Sequence, residues 1–322
     1  RQNNRIQVFN STGTTIRSWG MYGNLSNQLD NPRSVIKSQE GDFWIVDAAN
    51  KRLKKYSSAG DYVTSVGSSG SGAGQFSDPR DIVQDDEGNL YVTDVTNKRV
   101  LKFNSNGTYI TTWGGSNPGA LNAPQGITID EDSNILVLDS TAVKKYDTSG
   151  NYISSFTTSI SGIYISAFTK DVVTDQSGNI YVNDHLHVKK YTKEGVFVNQ
   201  WGGYGENGNG NFNNITGITI DDRGFLYVAE HDGKRFQKFT QDGSFIGQWQ
   251  VGDQLASIQA DGSDLYALGF FRDGILHYQV SSQIEIINEA LPDGQTGQEY
   301  DQTISVKDGF GEISFAITDG SL

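Results

Sequence analysis

The stretch that decides the fold spans residues 67–114 and reads GSSGSGAGQFSDPRDIVQDDEGNLYVTDVTNKRVLKFNSNGTYITTWG. It contains four short apolar runs, at Asp81–Gln84, Leu90–Thr93, Val100–Phe103 and Tyr109–Trp113. Each run is too short for a helix and rich in β-branched and aromatic residues, which predicts a β-strand. Gly and Asn between the runs predict tight turns, because both tolerate positive φ at low cost. One antiparallel sheet of four strands cannot cover its own faces, so it must stack on copies of itself.

Copies of this unit recur along the chain. The fourth strand ends at intervals of 43 to 48 residues, at Trp19, Val66, Trp113, Phe156, Trp201 and Trp249. The third strand ends in an aromatic residue each time, at Phe9, Tyr56, Phe103, Tyr146, Tyr191, Phe239 and Tyr278. A four-strand repeat of about 40–50 residues is the signature of a β-propeller.

The repeat also matches a known pattern, G-x-G-x-G-x-F followed by P-x-x-I, D-x-x-G-N-x-Y-V-x-D, N-x-R and W-G. It is most complete over Gly70–Gly114 and resembles the NHL repeat. Gln2–Gly20, Asn31–Gly67 and Gly205–Trp249 follow the pattern well, whereas the repeat at 125–156 is shortened and lacks the N-x-R triplet. The resemblance covers roughly residues 1–280 and implies an all-β, NHL-type propeller of four-stranded antiparallel blades.

The strand count bears on the number of blades. The chain opens in the third strand of a repeat, continues through five full repeats and ends in a three-strand repeat at Ala256–Val280. This is one strand more than six blades of four strands require and three fewer than seven. Six blades are therefore favoured and seven are the alternative, with strands from both termini closing the ring.

The pattern changes after Val280. Leu291–Gly294, the spacing of Gly297 and Tyr300, and Ile317–Gly320 resemble the start of the Ig-like sandwich repeats of microbial surface proteins. We therefore expect a propeller at 1–280 and a linker with an incomplete Ig-like domain at 281–322. The resemblance implies a fragment of a longer secreted or cell-surface microbial protein.

The composition limits the possible partners. The net charge is −13 and the pI about 4.7, which argues against general binding to nucleic acid or to an anionic membrane surface. No apolar run reaches the roughly 18 residues of a membrane span, so membrane insertion is not expected. The absence of Cys excludes thiolate metal sites, and no cofactor is expected.

The openings of the inner strands form the candidate ligand-binding site, at Arg33, Arg80, Gln125, Lys170, Thr216 and Ala256. In a closed ring these residues come from successive blades and surround one channel mouth. Three of them are cations in an acidic protein, which predicts a ligand with a carboxylate or sulfate group. The alternative is that Asp81 and Asp171, each directly after a cation, neutralise these cations in structural pairs.

Acidic residues also recur at the ends of the second strands, at Asp47, Asp94, Asp139, Asp184 and Glu230. Arg52, Arg99 and Arg235 follow three of them by five residues, which favours structural Arg–carboxylate pairs over a catalytic role. Asp139 and Asp184 lack the Arg and are expected to face Ala142 and His187.

His185, His187 and His231 are weak candidates for a metal site, because they occupy loops on one face near Asp232. Exposed loop histidines are the favoured interpretation, so no bound metal is expected. Some NHL-type propellers are lyases that hold a metal with histidines just after the Pro that opens the inner strand. None of the corresponding positions here is His, and no Ser-His-Asp or Cys-His set is evident.

Two classes of function follow from these patterns. The favoured one is a non-catalytic binding module that recognises a glycan, peptide or protein at the propeller face. The alternative is a propeller lyase or hydrolase with a metal in the central channel. The RNA-binding use of some animal NHL proteins is a weaker interpretation, because it requires a basic face with exposed aromatic residues.

Overall fold

The computed structural model describes residues 23–26, 28–115, 118–158, 171–205, 208–251, 254–262 and 264–269, together with strands at 6–9, 15–19, 275–279, 285–286 and 306–307. Strands account for the regular secondary structure of these residues, and no helix occurs among them. It follows that the described part of the chain holds no helix of the length and apolarity that crossing a membrane requires.

The strands form antiparallel sheets, numbered here in chain order. An N-terminal hairpin comprises β1 (Ile6–Phe9) and β2 (Thr15–Trp19). Blade 1 contains β3 (Pro32–Lys37), β4 (Phe43–Asp47), β5 (Arg52–Tyr56) and β6 (Tyr62–Val66). Blade 2 contains β7 (Pro79–Gln84), β8 (Leu90–Asp94), β9 (Arg99–Phe103) and β10 (Tyr109–Trp113). Blade 3 contains β11 (Pro124–Ile129), β12 (Ile135–Asp139), β13 (Ala142–Tyr146) and β14 (Tyr152–Thr157).

The second half of the chain continues in the same order. Blade 4 contains β15 (Val172–Thr174), β16 (Ile180–Asn183), β17 (His187–Tyr191) and β18 (Phe197–Gly202). Blade 5 contains β19 (Ile215–Ile220), β20 (Leu226–Glu230), β21 (Arg235–Phe239) and β22 (Phe245–Gln250). Blade 6 has three strands, β23 (Leu255–Asp261), β24 (Asp264–Gly269) and β25 (Ile275–Gln279). Two short strands follow, β26 (Glu285–Ile286) and β27 (Val306–Lys307), and pair with each other.

The inner strands of the six sheets form a closed ring. Each of β3, β7, β11, β15 and β19 contacts the next inner strand along the chain, and β23 contacts both β19 and β3. An apolar cluster of Val35 and Ile45 with Ala256 and Leu268 fills the junction between blades 1 and 6. Strand β1 lies beside β25, so strands from both ends of the chain meet at the sixth blade.

These observations confirm the all-β propeller of four-stranded antiparallel blades. They favour six blades over seven, because the described inner strands close on themselves. The sixth blade differs from the others in having three strands of its own, with the β1–β2 hairpin next to it. The Ig-like prediction for 281–322 lies outside the described residues except for β26 and β27.

An Asp at the strand 1–2 turn explains the D-x-x-G-N-x-Y part of the repeat. In blade 2, Asp85 Oδ1 accepts a hydrogen bond from the Asn89 N–H at 2.7 Å, and Oδ2 accepts one from the Tyr91 hydroxyl at 2.7 Å. The same bond recurs between Asp175 and Tyr181 at 2.9 Å and between Asp221 and Tyr227 at 3.0 Å. In blades 2, 4 and 5 the motif therefore ties the strand 1–2 turn to the buried second strand of its own blade.

A glycine in the strand 3–4 turn allows neighbouring blades to pack closely. Gly107 has a φ of 82°, and a Cβ at this position would lie 2.4 Å from Cγ2 of Val66 at the end of β6. The same contact joins Gly150 to Trp113, Gly195 to Phe156 and Gly243 to Trp201. The turn glycine of one blade and a residue at or next to the end of the preceding outer strand thus form one inter-blade contact.

The hydrophobic core lies between adjacent blades. The second strands β4, β8, β12 and β20 are buried along their whole length. One apolar cluster joins Val46 and Leu53 of blade 1 to Val92 and Leu101 of blade 2. Stacking of blades therefore buries the faces that a single sheet leaves open.

Candidate functional site at the channel mouth

A central channel runs between the six inner strands. Its cavity has a volume of about 330 Å³ and is lined by residues of β3, β7, β11, β15, β19 and β23. Ser34, Asp81 and Asp171 line the end at which the inner strands begin, and Gln39 and Gln84 line the opposite end. We call the end at which the strands begin the channel mouth.

Arg33 and Arg80 stand near the starts of the inner strands of neighbouring blades, β3 and β7, next to the mouth-lining residues Ser34 and Asp81. Burial, together with the positive charge of Arg80, lowers the pKa of Arg33 to about 10, against an opposing effect of Asp78. Arg80 donates to Asp78 Oδ2 from Nη2 at 3.0 Å and from Nε at 3.2 Å. Two cations and the Asp78 carboxylate therefore influence one another at this side of the mouth.

The Asp81 carboxylate binds other groups than Arg80. Its Oδ1 accepts a hydrogen bond from Ser34 Oγ at 2.6 Å, and its Oδ2 accepts one from the Ile127 N–H at 2.9 Å. Asp81 thus joins the inner strands of blades 1, 2 and 3. These contacts contradict the interpretation of Asp81 as the partner that neutralises Arg80.

Asp171 has an equivalent role on the other side of the channel. Its Oδ2 accepts a hydrogen bond from the Ile218 N–H of blade 5 at 3.2 Å. Burial raises the pKa of the Asp81 carboxyl. Burial also raises the pKa of Asp171 well above its usual range, and the charge of Asp81 adds to this effect.

The remaining predicted mouth residues differ in their placement. Thr216 is buried, and its hydroxyl donates to the Leu255 carbonyl at 2.9 Å, so this group is used within the fold. Gln125 is partly exposed, and its backbone carbonyl accepts from Thr93 Oγ1 at 2.7 Å. Lys170 lies outside the described residues.

Arg–carboxylate pairs hold the loops around the mouth, as the sequence pattern predicts. Arg235 Nε donates to Glu230 Oε1 at 2.6 Å, and both side chains are fully buried. Arg52 and Asp47 form the same bond at 2.7 Å, and Arg99 lies 3.6 Å from Asp94. In blades 3 and 4 lysines take this role: Asp139 pairs with Lys144 at 2.8 Å, and Asp184 with Lys189 at 3.3 Å and His187 at 3.2 Å.

Each Arg of these pairs also anchors the glycine-rich loop that enters its blade. The Arg99 guanidinium donates to the carbonyl oxygens of Ser71, Gly72 and Gln75 at 2.8, 3.1 and 2.7 Å. Asp94 in turn accepts from the backbone N–H of Asp78 at 2.8 Å. The glycine-rich loop at 67–75 therefore connects blades and wraps around a cation of the protein itself.

The three candidate metal-binding histidines have separate surroundings. His187 Nδ1 lies 3.2 Å from Asp184, His231 Nδ1 lies 2.8 Å from Asp232, and His185 is exposed. Within the described ranges, no group of three or more His, Asp or Glu side chains is placed to hold a metal ion.

Comparison with protein families supports the propeller. Residues 26–114 match a family model described as a 6-bladed beta-propeller, DUF5128. Comparison with curated protein sequences gave no match.

Several solved structures share the fold. Streptogramin B lyase is similar with a TM-score of 0.59 at 15% identity, over 81% of this chain and 86% of that chain. A catalytically inactive virginiamycin B lyase from Staphylococcus aureus, solved with quinupristin, is similar with a TM-score of 0.59 at 16% identity. The similarity covers 81% of this chain and 88% of that chain. A protein of unknown function from Bacteroides thetaiotaomicron has a TM-score of 0.64 at 15% identity. The similarity covers 85% of this chain and 75% of that chain. At these identities the structural similarity establishes a β-propeller fold. It does not identify the ligand, because one fold hosts many functions.

Proposed function

We propose that the propeller is a non-catalytic binding module of a secreted or cell-surface microbial protein. Its ligand is a glycan, peptide or protein that docks at the channel mouth through an acidic group. The observation that carries this proposal is the placement of Arg33 and Arg80 at the starts of the inner strands of neighbouring blades, where the charge of Arg80 helps to lower the pKa of Arg33. In this proposal the blades are NHL-type repeats, and the segment from 281 begins an Ig-like spacer.

Electrostatics favours an anion at this position. The pKa of Arg33 is lowered to about 10 by burial and by Arg80, so its charged form is poorly stabilised in the free protein. A carboxylate or sulfate between the two guanidinium groups offsets their repulsion and accepts paired hydrogen bonds. The net charge of −13 disfavours nonspecific binding of anions, so an anionic ligand requires a local pair of cations such as Arg33 and Arg80.

The rim of the mouth is also held in place before any ligand arrives. Glu230 and Arg235 are fully buried, and Asp47 and Asp94 accept backbone N–H groups of the loops that enter their blades. A rim fixed in this way loses little conformational freedom on binding, which favours affinity.

Arg80→Ala tests the proposal on an array of acidic and neutral glycans. The wild-type protein is expected to prefer acidic glycans, and the variant to bind them at least about tenfold more weakly, the loss of one charge-assisted contact. Arg223→Ala is the matched control, because Arg223 pairs with Asp221 at 2.7 Å in a strand 1–2 turn at the far end of the channel. Equal binding of neutral glycans by the wild type, or unchanged binding by Arg80→Ala, contradicts the proposal.

A lyase or hydrolase acting in the channel is the second candidate. It is favoured by the buried pair Asp81 and Asp171, because two carboxyls with different pKa values suit acid–base chemistry. The similar solved structures include streptogramin B lyase. Incubation with quinupristin followed by liquid chromatography is a direct test, and recovery of unchanged antibiotic counts against lyase activity of that type.

A further inference from the structure

Two carboxylates of the central channel, those of Asp81 and Asp171, stand on either side of a glycine. Asp81 lies in β7, Gly126 at the equivalent position of β11, and Asp171 directly before β15, and these inner strands contact one another in this order. The Asp81 carboxylate reaches blade 3 beside the glycine, because it accepts a hydrogen bond from the Ile127 N–H at 2.9 Å. Gly126 contributes no side chain between the two acids. We call this part of the channel, formed by Asp81, Gly126 and Asp171, the carboxylate gap.

Asp81 receives a side-chain hydrogen bond that has no counterpart at Asp171. Ser34, at the equivalent position of the preceding blade, donates from Oγ to Asp81 Oδ1 at 2.6 Å. Gly126 occupies this position before Asp171 and has no hydroxyl to donate. The hydrogen bonds to Asp171 come from two backbone N–H groups, that of the next residue at 2.8 Å and that of Ile218 at 3.2 Å. The repeat therefore lacks one donor at Asp171, on the side where Gly126 lies.

The negative charge of the carboxylate gap has no counter-charge within the described part of the chain. Neither Asp81 nor Asp171 forms an ion pair with a described Lys, Arg or His. Burial and the charge of Asp81 raise the pKa of Asp171 well above its usual range, so its ionised form is poorly stabilised in the free protein. Asp171 is partly exposed and lines the channel, so a small solute can reach it. A cation between the two carboxylates would supply the missing donor and reduce their repulsion.

The surroundings of the carboxylate gap favour an organic cation over a metal ion. Among the described residues, no three His, Asp or Glu side chains are placed to hold a metal, whereas Ca²⁺ takes about six to eight oxygen ligands. Two residues further along their strands, Ile36, Val83 and Val173 line the channel with aliphatic side chains. The channel cavity of about 330 Å³ lies within the range of about 300–1,000 Å³ that is usual for small-molecule sites.

We propose that the carboxylate gap binds the primary ammonium group of a small aliphatic amine, whose alkyl chain lies against these aliphatic residues. An ammonium group offers three N–H donors and a positive charge, which match the missing donor and the two carboxylates. The site is distinct from the anion site proposed at Arg33 and Arg80 and does not depend on the function proposed there.

Isothermal titration calorimetry with n-butylammonium chloride tests this proposal. The wild type is expected to bind n-butylammonium at least about tenfold more tightly than n-butanol, which has the same chain and no charge. Asp171→Asn keeps the shape of the side chain and removes its charge, so it should weaken n-butylammonium binding at least about tenfold. Asp86→Asn is the matched control, because it removes the same charge from an exposed position in a strand 1–2 turn. This control should bind n-butylammonium as the wild type does.

Gly126→Ser is a second variant that keeps the test open if Asp171→Asn folds poorly. It inserts the residue that the chain itself has at 34, at a position where the backbone has no positive φ. The new hydroxyl should donate to Asp171 and weaken n-butylammonium binding at least about tenfold, with a cooperative melting transition retained. The proposal is overturned if the wild type does not bind n-butylammonium or binds n-butanol equally well. It is also overturned if Asp171→Asn and Gly126→Ser both bind n-butylammonium as the wild type does.

Discussion

Arg235→Ala tests whether the buried Arg–carboxylate pairs hold the loops around the channel mouth. The guanidinium donates to Glu230 Oε1 from Nε at 2.6 Å and to the Asn211 carbonyl from Nη2 at 2.9 Å. Neither member of the pair is exposed to solvent. The substitution removes the cation and leaves the Glu230 carboxylate buried, with neutral donors such as the Asn213 N–H and the Gln237 amide.

The expected loss is about 3–5 kcal/mol, which is typical when one partner of a buried ion pair is removed. Arg223→Ala is the control, because the Arg223 side chain is 37% exposed although it lies 2.7 Å from Asp221. Asp221 is buried, but it keeps hydrogen bonds from the Phe225 N–H and the Tyr227 hydroxyl when the partly exposed Arg223 is removed, so this variant should lose less stability than Arg235→Ala. Urea unfolding followed by tryptophan fluorescence measures both changes. If Arg235→Ala loses no more than Arg223→Ala, the pairs do not hold the loops and the reasoning fails.

Two further predictions concern the blade contacts and the channel. Gly107→Ala should destabilise the protein by about 1–3 kcal/mol more than Gly41→Ala. Both glycines have positive φ, but only a Cβ at 107 would meet Val66. Equal melting temperatures of the two variants would refute the inter-blade contact. Asp171→Asn should flatten the pH dependence of stability above the ordinary Asp pKa of about 4. The pKa of Asp171 is raised by burial and by Asp81, so ionisation opposes folding and wild-type stability falls as pH rises through that pKa. Equal slopes in urea titrations of both proteins would show that Asp171 does not titrate there.

The repeat pattern predicts the blades because the motif residues keep equivalent partners from one repeat to another. Asp85 and Tyr91 bond within one blade, and Gly107 contacts the preceding blade. These contacts are local or join neighbouring repeats, so a regular spacing in the sequence carries over into a regular stack. The closure of the ring through blade 6 depends instead on strands from opposite ends of the chain, which spacing alone leaves open between six and seven blades.

The partner of Asp81 could not be predicted from its sequence neighbours. Asp81 follows Arg80 directly, but the pairing of β7 with β8 is irregular between Pro79 and Ile82, so regular strand alternation does not fix the direction of these two side chains. In the structure Asp81 bonds Ser34 while Arg80 bonds Asp78. The pairing of Asp171 with Lys170 stays a prediction, because Lys170 lies outside the described residues.

Hydrogen–deuterium exchange in the presence of the acidic glycan that binds most strongly tests whether an anionic ligand docks at the channel mouth. If the ligand docks at the channel mouth, protection on binding should appear in the loops around it, at residues 28–31, 48–51, 77–78 and 95–98. The strand 3–4 turns at 57–61, 104–108 and 147–151 should exchange as in the free protein. Protection confined to those turns, or to the outer strands, would contradict an anion-binding site formed by Arg33 and Arg80.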